Sequence, residues 1–313
     1  MKTNHRLFNL SIAKKISNGL IRNGHDVIDF DYRIINSKIF NNKSIDEKIL
    51  SIAENYRPDL ILFGHNNILN RNTILSLKKN YKIKFAIWYE DHVVKNDPNY
   101  INNLNLIERN NDLIDQYFLT TSPDVIKTKI SNNKLNFLPI PVDSNIERGT
   151  FYEVSKTKDL FFAISHGVNY GKLKKNTYDV RLNFINELIR DKKDNIDYHF
   201  LGLFNEQPKW NLDFENDLMI CRTALNLSRG GPTKYCSSNR IASLMGNGIL
   251  PFIHEKIKYQ DFFDNDEIIT YRDSKNLINQ LHDIKNDNKS LIKRSKNAKK
   301  TYFEIFENTI VSD

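Results

Sequence analysis

The segment from Ala224 to Ile253, ALNLSRGGPTKYCSSNRIASLMGNGILPFI, changes pattern three times in thirty residues. An apolar run breaks at Gly230-Gly231-Pro232. Ile241, Leu244 and Met245 then fall at i, i+3 and i+4, which is one face of a helix. Ser237 or Ser238 stands where a helix wants an N-cap, and Gly246-Asn247-Gly248 ends the pattern before Ile249–Ile253 turns apolar again. The segment reads as strand, turn, helix and strand. In open α/β sheets ligands bind beyond the carboxyl ends of the strands, and the corner from Ser228 to Arg240 lies at such an end.

The rest of the chain repeats this alternation. Leu10–Asn23, Ser44–Glu54, Thr73–Lys79 and Leu104–Leu113 carry helical spacing, and Ser44 with Glu47 forms a capping-box pattern. Between them, Val27–Phe30, Leu60–Phe63, "KFAIWYEDH", "QYFLTTS" and "LNFLPIPVD" read as short strands. Pro139 and Pro141, followed by the polar stretch Ser144–Lys158, read as a linker. A second series begins at "DLFFAISHG", continues through "DYHFLGLF" and "EIITYRD", and ends in a Lys-rich helix near Lys289–Phe306. Apolar strands separated by helices imply a parallel sheet in an α/β layer fold. The expected domains are 1–145 and 146–313, sizes that each support a core.

Composition narrows the function. The chain has 313 residues, a net charge of +8 and two cysteines, Cys221 and Cys236, that form no CxxC pair and have no histidines at zinc-ligand spacing. A cytoplasmic, reducing setting suits this, and no stretch has the apolar core of a signal peptide or a membrane span. The basic balance favours anionic partners, among them nucleotides and an anionic membrane surface met peripherally from the inner face. The modules common in nucleic-acid binding are missing, so no specific nucleic acid is expected.

At the corner, a helix N-terminus carries roughly half an elementary charge and accepts phosphate readily. Arg229, Lys234 and Arg240 add full charges around it, and Gly230 and Gly231 let the backbone turn tightly there. Any one of these cations alone fits a solvated loop; their combination points to a diphosphate.

"SSNRIASLMGNGILPFI", followed by "DEIITYRDSKNLINQL" and a final basic helix, resembles the C-terminal half of GT-B-type glycosyltransferases, most closely the spore-maturation-protein-like branch. "RPDLILFGHN", "FAIWYEDH" and "LPIPVD" resemble their N-terminal half. The resemblance implies two Rossmann-like domains facing across a cleft, an acceptor domain and a nucleotide-sugar domain. It implies transfer of a hexosyl or related sugar to a glycan, lipid or protein, a cell-surface glycan among them. Arg240 and Gly248 match the family pattern. The Glu that usually holds the nucleotide ribose is replaced by Ser243, leaving that contact to Ser243 itself or to Asn239. Gly167, beside His166, matches the glycine loop near the donor. Donor contacts are therefore expected from Gly167, Arg229, Lys234, Ser237, Ser238, Asn239, Arg240 and Ser243.

Glycosyl transfer needs stabilisation of the leaving diphosphate and, in an inverting enzyme, a base for the acceptor hydroxyl. The cationic corner supplies the first with no metal and no cofactor. Asp91 and His92, with Glu90 beside them, and then His65, are the expected catalytic groups, because each follows an N-terminal strand. Two alternatives stand: a GT-B-like chain without activity, and a basic protein that binds nucleotide or nucleic acid. Finally, the family begins with a strand, whereas "MKTNHRLFNLSIAKKI" passes almost directly into a helix. The chain is therefore expected to start late. Its N-terminal sheet is expected to lack its first, central strand or to pair Val27–Phe30 directly with Leu60–Phe63.

Overall fold

The computed structural model describes residues 12–31, 44–64, 69–164, 172–173, 177–193, 195–204, 206–209 and 212–313. They divide into two compact units, one spanning Gly24–Pro139 and the other joining the helix Ile12–Arg22 to Ile140–Asp313.

In the first unit, helices α2 (Ile45–Tyr56), α3 (Arg71–Tyr81) and α4 (Tyr100–Glu108) alternate with strands β1 (Leu60–Gly64), β2 (Lys84–Tyr89), β3 (Gln116–Leu119) and β4 (Leu135–Phe137). The strands form one parallel sheet in the order β1-β2-β3-β4. β2 is buried along Phe85–Tyr89, as a strand covered on both faces must be. The Ser44–Glu47 capping box forms as the sequence predicts.

Val27–Phe30 is not a strand, and the expected pairing with Leu60–Phe63 is not formed. Four apolar-rich residues do not make a strand without a neighbour to take their N–H and C=O groups, and this segment lies exposed or half-buried. Among the described residues β1 pairs only with β2. Residues 1–11, where a preceding strand would have to lie, fall outside the described residues, as does His65.

The second unit holds β5 (Lys158–Ala163), the two-residue strands β6 (Lys172–Leu173) and β7 (Thr177–Tyr178), α5 (Arg181–Arg190) and β8 (Tyr198–Leu201). There follow α6 (Leu212–Met219), β9 (Cys221–Asn226), α7 (Asn239–Gly246), β10 (Leu250–His254) and β11 (Ile269–Tyr271). Helices α8 (Ser274–Lys285), α9 (Asn288–Phe306) and α10 (Asn308–Val311) close the chain. Its main sheet is parallel, in the order β11-β10-β9-β5-β8.

Helix α1 (Ile12–Arg22) belongs to this second unit through a buried polar cluster. Lys15, 1% exposed, donates to Glu147 Oε1 and to the Pro141 carbonyl at 3.2 Å. Glu147 Oε2 accepts the Asp143 N–H at 2.9 Å. The fully buried Asp143 carboxylate takes Asn18 Nδ2, Arg22 Nη2 and Asn308 Nδ2 at 2.7, 2.8 and 3.0 Å. Burial pushes the Asp143 carboxyl upward, but the Asn18 amide, the Asn145 N–H and the Arg22 guanidinium outweigh it and hold it below its ordinary value. A Cβ on Gly19 would overlap the Asn308 backbone, so α1 and α10 touch main chain to main chain.

This cluster alters the expected linker. The expected division at 145/146 falls inside a packed segment: Asp143, Glu147 and Phe151 are buried, and Val142 bridges to Glu307. The units part instead between Pro139 and Ile140. Among the described residues no helix is long and apolar enough to cross a membrane.

Candidate functional site

Taken in chain order, the five main strands of the second sheet are β5, β8, β9, β10 and β11, and their spatial order reverses between β5 and β9. Such a reversal opens a crevice beyond the strands' carboxyl ends, where open α/β sheets place ligands. Arg240, near the start of α7, spans it. Its Nη1 donates to the Leu227 carbonyl just after β9 at 3.1 Å, and its Nη2 to the Ala163 carbonyl ending β5 at 3.3 Å. The guanidinium also lies 5.2 Å from the centre of the Phe162 ring. Burial, and then the nearby Arg181 cation, hold its pKa down to about 10. Arg240 thus pins two strand ends, where the sequence suggests only a charge beside the helix start.

Helix α7 forms as its local pattern demands. Ile241, Leu244 and Met245 are wholly buried, each worth about 1.5–3 kcal/mol in apolar burial. Gly248, at φ 79°, lets the chain leave the helix into β10. Ser238 is the N-cap: its Oγ accepts the Ile241 N–H and donates to Asn226 Oδ1, both at 3.3 Å. Replacing Ser238 by Ala is expected to lower stability by about 1 kcal/mol. An unchanged urea midpoint would contradict this role.

Ser237 does not face outward. It is 1% exposed, and its Oγ accepts the Ile140 N–H at 2.8 Å, while Tyr302 donates to the Ile140 carbonyl at 3.0 Å. The hydroxyl fixes Ile140, where the chain returns to the second unit, to the α7 start. Asn239 is exposed, and its Oδ1 accepts from Lys15 Nζ at 3.4 Å. Ser243 is half-buried one turn into the helix.

Arg229 and Lys234 occupy the loop between β9 and α7, both half-buried. Gly231, at φ 81°, makes the turn. The loop's far end is held by Tyr235, whose N–H donates to the Ile257 carbonyl at 2.8 Å and whose hydroxyl donates to Asp261 at 2.9 Å. Lys234 Nζ lies 4.9 Å from the centre of the Tyr235 ring. Gly167 and its neighbour His166 lie outside the described residues.

Three residues here escape sequence reasoning. Asn226, ending β9, is fully buried, and its Nδ2 has no hydrogen-bond partner among the described residues, an uncommon state for a native interior donor. Arg181 opens α5 with its guanidinium chelated by the buried Asp179, at 2.9 and 3.1 Å from Nε. Lys15 reaches the α7 start from the other end of the chain. Only Arg181 leaves a trace in the sequence, an Asp two residues before a cation at a helix start.

In the first unit, Glu90, Asp91 and His92 follow directly on β2. The Thr120 hydroxyl, just beyond β3, donates to the Glu90 carbonyl at 3.0 Å, and Asn103 Nδ2 of α4 to the His92 carbonyl at 2.8 Å. The strand exit is therefore fixed from two sides. Asp91 is exposed and His92 half-buried. Burial, then the Asp91 charge, raises the Tyr89 phenol well above its ordinary value. Among the described residues no three His, Cys, Asp or Glu side chains gather as metal ligands.

No family model matches the chain, and no curated protein matches it by sequence. Solved structures match it by shape. HepE of Anabaena in complex with UDP-glucose superposes with a TM-score of 0.58 at 10% identity, over 90% of this chain and 86% of that one. Sucrose-phosphate synthase of Thermosynechococcus elongatus gives 0.58 at 11% identity, over 96% and 90%. A glycosyltransferase of Rickettsia africae gives 0.57 at 12% identity, over 96% and 91%. The chain has the GT-B architecture of two Rossmann-like units.

Proposed function

We propose that the chain is a glycosyltransferase, of the spore-maturation-protein-like branch, that moves a hexosyl or related sugar from a nucleotide-sugar donor to a glycan, lipid or protein acceptor without a metal. One observation carries this reading: the crevice between β5 and β9 is spanned by Arg240 and met by the capped start of α7, with Arg229 and Lys234 on the adjoining loop. Similar folds solved with UDP and with UDP-glucose support a nucleotide-sugar as the ligand.

In this mechanism the donor's diphosphate lies against the α7 N-terminus. Arg229 and Lys234 neutralise the charge that develops on it as the glycosidic bond breaks. Arg240 keeps β5 and β9 in register beneath it. Ser243 replaces a carboxylate at the ribose, so the sugar ring of the nucleotide is held by single hydrogen bonds. The Asn226 amide is a further donor close by. Asp91 or His92, at the end of β2, takes the acceptor's proton.

Thermal shift against UDP-, GDP-, ADP- and dTDP-sugars identifies the donor. Arg229→Ala and Lys234→Ala are each expected to weaken donor binding or turnover at least ~10-fold, since a hydrogen bond to a charged group is worth about 1.5–3 kcal/mol. Unchanged binding and turnover in both variants would reject the diphosphate site. The Ser243 departure favours one second reading, a chain that binds nucleotide without transferring sugar. Donor binding with no turnover on any acceptor would select it.

A further inference from the structure

Helix α9 carries Lys289, Lys293, Arg294, Lys296, Lys299 and Lys300 against one acid, Glu304. The fold separates these cations into two sets. Arg294 donates to the carbonyls of Asp266, Asn265 and Ile268 at 2.9, 3.1 and 3.0 Å, and Lys299 to that of Gly149 at 2.7 Å. These two tie the helix to its own unit. Leu291, Ser295, Ala298, Tyr302 and Phe306 make its buried face.

The other four are exposed: Lys289, Lys293, Lys296 and Lys300. Their spacing of four, three and four residues places them within one narrow stripe, about 16 Å long, on the side opposite the buried face. Lys289, Lys293 and Lys296 have no ion pair among the described residues. Lys300 has only an exposed contact with Glu304 at 3.5 Å, weak in water. Like charges at these spacings repel one another, so the stripe gives the helix nothing. Ile292 lies beside it and is 38% exposed.

We propose that this stripe docks the protein on the surface of an anionic lipid bilayer, with α9 parallel to the membrane plane. Charge complementarity selects the partner: four lysines on one straight face meet a flat, continuous negative surface. Ile292 favours a bilayer over nucleic acid, because it enters the headgroup layer, whereas a phosphate backbone offers it no apolar counterpart. The apolar side of α9 is committed to the core, so the contact is chiefly electrostatic, reversible and weakened by salt. It stands independently of the donor site.

Cosedimentation of the full chain with vesicles tests it. The protein is expected to bind vesicles of phosphatidylcholine mixed with phosphatidylglycerol, to ignore phosphatidylcholine alone, and to be released at high salt. Lys293→Gln with Lys296→Gln should weaken binding ~30-fold, and the fourfold Lys→Gln variant should abolish it. The fourfold Lys→Arg variant should retain binding, which separates charge loss from misfolding. Equal binding to neutral vesicles, or unchanged binding of the fourfold Gln variant, would overturn the proposal. So would duplex DNA that displaces the vesicles and shows the same variant dependence.

Discussion

Glu147→Ala or Lys15→Ala alone is expected to destabilise the protein by about 3–5 kcal/mol, because each leaves an uncompensated charge in the interior. Both side chains are almost wholly buried, Lys15 at 1% and Glu147 at 4% exposure. Burial raises the Glu147 carboxyl, opposed by the Lys15 ammonium and by the Asp143 N–H. Either loss also frees the Asp143 N–H or the Pro141 carbonyl from a partner, so the Ile140–Glu147 segment of the second unit loses a fixed point. Replacing both residues, Lys15→Met with Glu147→Leu, is expected to recover most of the loss, since a buried pair returns little net stability over apolar packing. Chemical denaturation midpoints decide it. A double variant as unstable as the sum of the single variants would refute this account.

The second large effect is on rate. Under the proposed transferase reaction, Asp91→Asn or His92→Ala is expected to cut turnover by ~10²–10⁴ while donor affinity stays near that of the parent, because a general base acts in the transition state and not on the bound nucleotide. The backbone bonds from Thr120 and Asn103 predict that neither change moves the strand exit, so stability should hold. Full turnover in both variants would place the base elsewhere or point to a retaining mechanism. A parallel loss of donor affinity would make these residues part of donor binding instead.

The elements set by short-range pattern were legible in the sequence. α7 needs a capping serine, an apolar face repeating at three and four residues and a glycine exit, and all of these lie within eleven residues. The capping box of α2 and the buried strands of both sheets follow equally from local spacing. The placement of the corner Ser228–Arg240 between a strand end and a helix start was legible for the same reason.

What the side chains do there was decided only by tertiary structure, because their partners are remote in sequence. Ser237 turns inward to an N–H 97 residues away, although it looks as available for capping as its neighbour. Arg240 turns to the carbonyl ending β5, 77 residues away, because two strand ends offer acceptors that water would otherwise fill. Lys15 pairs with Glu147 across 132 residues and draws α1 into the second unit, against the simple order of the chain. Val27–Phe30 shows the converse: an apolar run carries a strand's composition, but a strand exists only where a neighbour accepts its hydrogen bonds. Local propensity is written residue by residue, whereas the satisfaction of buried charges and backbone groups depends on which distant groups the finished fold brings within hydrogen-bonding distance.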